Sequence, residues 1–369
     1  MVFRGKSQPV LSENRKSGEY LMIESFEISN FRCFADVKTT PLKRFNIVVG
    51  DSGTGKTTLM ESLFLMGGAT PEIYFRLRTW RGLSTTLSAN TKDAYESIFR
   101  DLFCNFDQKK GAVLSCVDSI MGRRSVEIYY KNEDTFSLPL NVQVNAFQID
   151  PIIFKWQIGG KIYESSLELR EGAFKITGAA PVAPVAYYNP INSNGAQNAT
   201  AFSSLSRKYQ SAKLLKAVQG IFPQVEDITI EFVAGEASLH VAAGLSQRLP
   251  IADLSGGVNK FVSIALGILA NPGGLILVDE IDGGFYFKHL AKVWSALVKL
   301  CDEEQVQLVA STHSAEFLKA VAPSLEDKAI AYQFQLMRLE KKEGKQPDIK
   351  RFPASLYHDA MRAEMEIRG

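Results

Sequence analysis

The chain has 369 residues and a globular composition, with 46% hydrophobic and 22% charged side chains. Its 42 Lys and Arg residues against 40 Asp and Glu give a net charge of +2, so no overall charge attracts nucleic acid or an anionic membrane. No apolar run reaches the roughly 18 residues of a membrane span, and the first residues lack a signal peptide's apolar core. The four cysteines never approach a CxxC spacing, which argues against a zinc site. We therefore expect a cytoplasmic protein.

The beginning of the chain predicts a tail followed by β-structure. Residues 1–21 are polar and basic without periodicity, which is typical of a mobile tail. From residue 22, "MIESFEISNFRCFADVKTT" alternates apolar and polar residues as a half-buried pair of strands does. The apolar run "RFNIVV" then predicts a buried strand leading into a glycine-rich turn. After the turn, "KTTLMESLFLMGG" places Leu59, Leu63 and Met66 on one face of a helix that ends at two glycines.

The turn itself matches the phosphate-binding pattern G-x-x-x-x-G-K-[ST] at Gly50, Gly55, Lys56 and Thr57. Glycines let backbone N–H groups converge on phosphate oxygens, and the helix N-terminus adds its partial positive charge. Lys56 is expected to reach the β- and γ-phosphates of a nucleoside triphosphate, and Thr57 to offer its hydroxyl to Mg²⁺. The other loop residues predicted to bind phosphate or hold the loop are Ser52, Gly53, Thr54 and Thr58.

A second strand, which ends in acidic residues, is predicted in "GGLILVDEIDGG", residues 273–284. Four apolar residues predict a buried parallel strand, and Asp279 follows at its carboxyl end, where open α/β sheets place ligand groups. Asp279 is expected to hold the Mg²⁺ shell through water. Glu280 comes next, and we expect it to act as general base or to position an attacking water.

Two further segments distinguish between classes of P-loop protein. In "LPIADLSGGVNKF", Ser255 can cap an apolar helix, while Gly256 and Gly257 allow close approach of the backbone to phosphate. Because one P-loop already holds a nucleotide within the protomer, this second site is expected to serve a nucleotide bound by another copy. The run "VQLVASTHS" predicts a buried strand that ends beside His313, at the same sheet edge as Asp279. We interpret His313 as a γ-phosphate sensor.

In this order, "FEISNFRCF", "GDSGTGKTT", "LSGG", "LILVDEIDGGFYFKHL", "ASTHS" and "MEIRG" resemble the ABC-type ATPase heads. The resemblance is closer to their OLD-like and RecF-like branch, and it spans most of residues 22–369. It implies an α/β P-loop fold with a mixed or parallel core sheet, which binds ATP and Mg²⁺ in a head-to-tail dimer. In such dimers the Ser-Gly-Gly signature acts in trans on the opposite subunit's nucleotide.

The resemblance also assigns roles to single residues. It implies hydrolysis by Glu280, a switch function for His313, and a position near the dimer seam for Asp282. It makes Arg32 a basic residue that can approach the nucleotide, with a solvent-exposed strand arginine as the alternative. Transporter ATPases usually continue the signature with Gln and Arg, whereas this chain reads "LSGGVNKF" and offers no clear Q-loop glutamine, so transport is not expected.

The interval between the two halves of the ATPase contains no heptad run long enough for an SMC-like coiled coil. It predicts a helix over residues 84–104, then antiparallel strands in "SVEIYY", "FSLPLNVQVNAFQI", "IIFKWQI", "KIYESSLEL" and "AFKITG", and a loop-rich crossing over residues 178–199. The predicted domains are a tail (1–21), an N-terminal ATPase half (22–83), a helical and antiparallel β insertion (84–200) and a C-terminal ATPase half (201–369).

The segment after His313 predicts a strand in "FQLMRLEKK", a turn at Glu343-Gly344 and a short helix, without room for the Toprim nuclease of OLD proteins.

Our leading hypothesis is an ATPase switch, as a dimer or larger assembly, that controls a separate effector such as a Toprim-type nuclease in anti-phage defence of PARIS type. One alternative is a RecF-like repair ATPase that closes on duplex DNA, for which "YFRLRTWRG" offers Arg76, Arg78 and Arg81. A non-hydrolysing scaffold held by ATP is the other.

Overall fold

A computed structural model describes residues 21–83, 92–131, 150–170, 173–189, 195–233, 235–341 and 346–362. The predicted tail lies almost wholly outside these residues, as do the predicted strand at 136–149, the turn at 343–344 and the closing "MEIRG". Within the described part, none of the helices is long and apolar enough to cross a bilayer.

The strands are β1 (Ile23–Phe31), β2 (Phe34–Pro41), β3 (Phe45–Gly50), β4 (Ala112–Asp118), β5 (Gly122–Tyr130), β6 (Ile152–Ile158), β7 (Lys161–Arg170), β8 (Ala173–Thr177), β9 (Val185–Tyr188), β10 (Asp227–Val233), β11 (Glu236–Ala242), β12 (Leu249–Pro250), β13 (Leu275–Val278), β14 (Gln307–Ser311), β15 (Phe334–Glu340) and β16 (Asp348–Pro353). The helices are α1 (Lys56–Met66), α2 (Glu72–Trp80), α3 (Lys92–Phe99), α4 (Gly195–Arg207), α5 (Ser211–Gln219), α6 (Ile251–Leu254), α7 (Gly256–Ala270), α8 (Leu290–Glu303), α9 (Ala315–Val321), α10 (Lys328–Tyr332) and α11 (Ala354–Arg362).

The core sheet has six strands in the order β16-β15-β3-β14-β13-β9. All neighbours pair in parallel except β15 and β16, which are antiparallel. Every residue of β3, β13 and β14 is buried, as expected for strands covered on both faces. The carboxyl ends of these three strands meet at one edge of the sheet, so the P-loop, the acidic pair and the Thr312-His313 turn are brought together. This confirms the predicted mixed, mainly parallel P-loop core.

Two apolar clusters lie on opposite faces of this sheet, because successive side chains of a strand point in opposite directions. In β3, Phe45, Ile47 and Val49 belong to the cluster that includes α7 and α8. Val48 belongs to the other cluster, which includes α1 and the antiparallel sheet. Helix α1 is buried over nearly its whole circumference, rather than along the single face that its sequence predicts, because it lies between the two sheets.

The second sheet is antiparallel and has seven strands in the order β2-β1-β4-β5-β6-β7-β8. It contains the predicted strands from "SVEIYY" to "AFKITG" that fall within the described residues, together with β4, which the sequence reading overlooked. Strands β1 and β2 belong to this sheet although they precede the P-loop, and Phe26 of β1 pairs with Cys116 of β4. The predicted domain boundary at residue 84 therefore passes through one continuous sheet.

Three other local predictions differ from the structure. Helix α3 ends at Phe99, and short 3-10 turns replace the rest of the predicted helix, with Asn105 and Phe106 at φ of 51° and 60°. The stretch read only as basic, "YFRLRTWRG", contributes most of α2. The predicted loop-rich crossing contains β9, which pairs in parallel with β13. Its four residues lie between two prolines and are too few to show the alternation or the long apolar run that would predict a strand.

Candidate functional site

A cavity of about 250 Å³ lies at the carboxyl edge of the core sheet. It is lined by the chemically important side chains of three separate segments: Lys56 and Thr57 from the P-loop, Asp279 and Glu280 after β13, and His313 after β14. The remaining lining residues are Cys33, Ser52, Gly53, Gly55 and Thr58. The structure thus brings together residues that the sequence separates by more than two hundred positions.

The backbone of the P-loop requires glycine at two points. Gly50 has φ of 145°, and a Cβ added there would lie 2.4 Å from the carbonyl oxygen of Leu339. Gly55 has φ of 104°, and its added Cβ would lie 2.7 Å from the Cys33 sulfur. Thr54 closes the loop by donating from Oγ1 to the Asp51 carbonyl at 2.8 Å. These dihedrals and contacts constrain the loop to the conformation that the structure shows.

The Lys56 side chain curls back over this loop. Its Nζ donates to the carbonyl oxygens of Gly50 and Asp51 at 2.7 and 2.9 Å. Burial lowers the pKa of Lys56, while the carboxylates of Asp279 and Asp51 oppose that change. A buried ammonium beside an open pocket favours an anionic ligand, and the phosphates of a nucleotide supply one.

The Thr57 hydroxyl donates to Asp279 Oδ2 at 2.7 Å, so the two groups predicted to hold Mg²⁺ are in contact. Hydroxyl and carboxylate oxygens are hard donors of the kind that Mg²⁺ prefers, and the set fits a site that leaves the remaining positions to water and phosphate. Ser311 donates to the other carboxylate oxygen, Oδ1. Tyr187 also donates to Oδ2, at 3.3 Å. In the described residues, this site included, no group of three or more His, Cys, Asp or Glu could hold a metal, so the site would rely on the Thr57 hydroxyl and the Asp279 carboxylate.

Glu280 is exposed at the pocket and has φ of 50°, in the left-handed region that is costly for a residue with a side chain. Contacts on both sides hold this conformation. Its N–H donates to Ser311 Oγ at 2.9 Å, and its carbonyl accepts from Lys260 Nζ, which also donates to the Gly283 carbonyl at 3.0 Å. Such held strain is typical of functional sites.

His313 and Asp282 flank this turn. His313 is exposed immediately after β14 and lines the pocket, as the sequence predicts for a group that faces the γ-phosphate. Asp282 accepts a hydrogen bond from Thr312 Oγ1, and the Ile281 N–H donates to the Ser311 carbonyl at 2.9 Å. The turn after Asp279 is therefore tied to the end of β14.

The signature segment begins α7. Ser255 caps the helix, since its Oγ accepts from the Val258 N–H at 3.1 Å. Ser255 and Gly256 are exposed, whereas Gly257 packs on the turn after Asp279, where a Cβ would lie 2.8 Å from the Gly284 carbonyl oxygen. These signature residues are not among the described residues that line the phosphate cavity of the same protomer.

Arg32 lies in neither of the two environments considered for it. It is buried in the turn between β1 and β2 at φ of 50°, with Nη1 2.9 Å from the Glu61 carboxylate. Glu61 also accepts two hydrogen bonds from Arg81, at 2.7 and 2.8 Å. Arg32 lines a neighbouring cavity of about 610 Å³, which shares Cys33 and Thr58 with the phosphate cavity. It is therefore neither solvent-exposed nor part of the lining of the phosphate cavity.

The arginines considered for a DNA-binding groove have partners within the protomer. The Arg76 guanidinium lies 5.5 Å from the centre of the Phe64 ring, and Arg78 donates to the Ile98 carbonyl at 3.0 Å. Arg81 is the partner of Glu61. These contacts hold the three side chains against the protomer, while Arg76 and Arg81 remain exposed at its surface.

Replacing Glu61 with glutamine is expected to destabilise the fold. The change leaves Arg32 with only Asp101, 3.6 Å away and itself partly exposed, as an acidic partner, and breaking a buried ion pair on one side costs about 3–5 kcal/mol. Chemical denaturation followed by circular dichroism measures the free energy of unfolding. The exposed Glu72 on the neighbouring helix provides the matched control, and equal midpoints for Glu61→Gln and Glu72→Gln would contradict a structural role for the pair.

The sequence reading missed three contributors to the site. The sequence predicts a loop around Tyr187, whereas the structure places it on β9 beside Asp279. Ser311 lies at the last position of β14 and contacts both Asp279 and Glu280, a role that its position one residue before "THS" could have indicated. Lys260 lies three residues after the Ser-Gly-Gly signature, and that signature does not include a lysine at this position.

Comparisons with known proteins agree with this geometry. Residues 22–331 match the family described as the RecF/RecN/SMC N terminal domain. An "ATP/GTP phosphatase" of Helicobacter pylori is 21% identical over 360 residues, covering 86% of this chain and 92% of that protein. The "DNA replication and repair protein RecF" of Idiomarina loihiensis is 43% identical over 47 residues, which is 13% of either chain.

Among solved structures, an Smc head bound to the C-winged helix domain of ScpA is similar in fold. It has a TM-score of 0.51 and 12% identity, and the match covers 90% of this chain and 98% of that one. Fold and family together confirm the predicted ABC-type P-loop ATPase and the RecF-like part of the resemblance. Because the matched residues make up most of its length, the chain belongs to the RecF/RecN/SMC N-terminal domain family and is an ATPase.

Proposed function

We propose that the chain is an ATP-driven switch that pairs head to tail with a second copy around two nucleotides and thereby controls a separate partner. One observation supports it above the others. The phosphate cavity collects Lys56, Asp279, Glu280 and His313, whereas the capped start of α7 at Ser255 is exposed and lies outside that cavity. A second anion-binding helix start without a nucleotide of its own fits a site completed by another copy.

Within one protomer, the P-loop and Lys56 neutralise the phosphates of ATP. Thr57 and Asp279 would hold Mg²⁺, which supplies positive charge to the phosphate oxygens as negative charge develops on them. Glu280 orients a water molecule towards the γ-phosphate and accepts its proton, and His313 contacts the γ-phosphate from the end of β14. Asp279, Glu280 and His313 follow closely after fully buried strands, which supports a site whose groups are positioned by the fold.

The Ser255→Arg variant tests the composite site. Arginine at this exposed helix start would obstruct a partner's nucleotide while leaving the phosphate cavity of its own protomer intact. We expect ATP to bind with unchanged affinity, ATP-dependent pairing to disappear in light scattering, and hydrolysis to fall by at least about 10-fold, because the partner's anion-binding groups are removed.

The control for this experiment is Ser238→Arg, at a half-buried position on β11 that the proposed pairing does not involve. Normal ATP-dependent pairing and normal turnover by Ser255→Arg would refute the composite site. Loss of ATP binding in Ser255→Arg would instead show that the signature acts within its own protomer.

The identity of the partner is a finer proposal, supported by the motif resemblance to OLD-like and PARIS-type ATPases. On that basis we propose a separate effector, such as a Toprim-type nuclease, in anti-phage defence. Affinity purification of the Glu280→Gln variant from its native host, with ATP present, tests this proposal. Recovery of a nuclease encoded beside this gene is the expected result, and recovery of the homodimer alone contradicts it.

A RecF-like role in DNA repair is the second candidate, and the local 43% identity to a RecF protein favours it. Closure on duplex DNA would require basic side chains on the paired heads, and Arg76, Arg78 and Arg81 are engaged within the protomer. Duplex binding that appears only with ATP and weakens steeply with salt would support this candidate over effector control.

A further inference from the structure

The carboxylate of Asp279 receives hydrogen bonds from three hydroxyl groups, those of Thr57, Tyr187 and Ser311. Ser311 donates to Oδ1, while Thr57 and Tyr187 share Oδ2. Thr57 and Ser311 stand next to motifs that the sequence identifies. Tyr187 belongs to no motif, and it reaches Asp279 from β9, the edge strand on the other side of β13.

The position of Tyr187 is set by strand pairing. In the parallel register of β9 and β13, Tyr187 lies beside Leu277, and the Asp279 N–H donates to the Tyr188 carbonyl at 2.7 Å. The Tyr187 side chain is 4% exposed, and its ring packs edge-on against Trp80 with centres 5.1 Å apart. Both the backbone and the ring of Tyr187 are thus fixed relative to the carboxylate.

A phenolic hydroxyl in such an apolar environment is costly unless it has a hydrogen-bond partner. A phenylalanine at this position would fill the space between Trp80 and Phe64 without that cost, so ring packing alone does not account for the hydroxyl.

Tyr187 differs from Thr57 in what it can do at a metal site. Thr57 would offer an oxygen lone pair to Mg²⁺. Tyr187 and Ser311 are not predicted metal ligands, so they would act as outer donors, one on each carboxylate oxygen, and such contacts orient ligands and tune metal sites. A carboxylate held from both sides presents its free lone pairs to the metal shell in one orientation.

We propose that Tyr187 is a positioning residue for ATP hydrolysis, acting through Asp279 on the Mg²⁺ site. The proposal rests on the ATP hydrolysis described above, but it does not depend on pairing or on the identity of a partner. Tyr187 does not touch the phosphates, and it affects the reaction only by the orientation it gives to the Asp279 carboxylate.

The test is the Tyr187→Phe variant, which removes one oxygen and keeps the ring. Binding of a fluorescent ATP analogue is titrated with Mg²⁺ and repeated in EDTA. We expect unchanged binding in EDTA, an Mg²⁺ midpoint raised about 10-fold, and a lower kcat, since loss of an outer-shell partner costs about 10–100-fold in metal affinity or activity. The thermal unfolding temperature, measured in parallel, should match that of the wild type.

Tyr188→Phe is the matched control. Tyr188 is the next residue on the same strand, and its hydroxyl lies against Gly267 of α7, on the other face of the sheet. The same chemical change there should leave the Mg²⁺ midpoint unaltered. In an Asp279→Asn background, Tyr187→Phe should have no further effect on the midpoint, because the group through which it acts has been changed.

Two outcomes would overturn the proposal. One is an Mg²⁺ midpoint for Tyr187→Phe equal to that of the wild type, and the other is an equal shift in Tyr188→Phe. A wild-type protein that binds ATP with Mg²⁺ but never hydrolyses it would refute the proposed function instead. The binding titration would still decide whether Tyr187 positions Asp279, so the two failures are distinguishable.

Discussion

The Lys56→Ala variant is expected to lose ATP binding. Lys56 is the cation of the P-loop, and its charge-assisted hydrogen bonds to phosphate have no replacement among the side chains that line the cavity. Loss of bonds worth about 1.5–3 kcal/mol each to a charged group weakens affinity by at least about 100-fold. Isothermal titration calorimetry with MgATP measures the effect.

The fold should survive this change, because the side chain contacts only the loop carbonyls of Gly50 and Asp51 through its Nζ. Circular dichroism provides the check. Lys299→Ala is the matched control. Lys299 is exposed near the end of α8 and does not line the phosphate cavity, so this variant removes the same charge elsewhere and should bind ATP normally. Undiminished affinity in Lys56→Ala would mean that the cavity is not the nucleotide site.

Glu280→Gln should bind ATP as the wild type does but hydrolyse it very slowly. The amide keeps the size and the left-handed backbone of Glu280, but it cannot accept the proton of an attacking water. Removal of a general base typically costs about 10²–10⁴-fold in rate. Phosphate release under single-turnover conditions measures the chemical step, and the ATP-bound pair should accumulate in size-exclusion chromatography.

This variant also decides between the switch and the non-hydrolysing scaffold. A scaffold would show equal, near-zero rates in the wild type and in Glu280→Gln. Glu236→Gln, at an exposed position that starts β11, makes the same chemical change away from the site and should turn over at the wild-type rate. Pairing by the wild type that is equally stable with ATP and with ADP would likewise favour the scaffold.

The features of the fold and of the candidate site that could be predicted from the sequence are those whose chemistry is local. The P-loop needs glycine at Gly50 and Gly55 because its backbone has positive φ there. The pattern of eight consecutive residues that identifies the loop therefore contains both glycines. The strands before Asp279 and His313 are buried on both faces. They are therefore mainly apolar, and a short apolar run in the sequence is enough to predict them. Their order along the chain then implies that their ends meet at one edge.

The parts that were missed depend on contacts between distant segments. Tyr187 and Asp279 are 92 positions apart, and nothing in "VAYY" shows that its third residue will face a carboxylate. Arg32 lies in a turn whose polar sequence favours exposure, but Glu61 on α1 provides a buried counter-charge. The antiparallel sheet likewise joins strands from both sides of the P-loop, a pairing that depends on register and not on composition.

The contacts of Lys260 have a consequence for how two nucleotides influence each other. Lys260 and Gly257 attach the first turns of α7 to the backbone of residues 280–284, through the Glu280 and Gly283 carbonyls and the close approach to Gly284. These contacts couple the start of the helix to the acidic turn. In the proposed head-to-tail pair, the two ends of this coupled segment would touch different ATP molecules, so a change at one nucleotide would be transmitted to the contacts with the other.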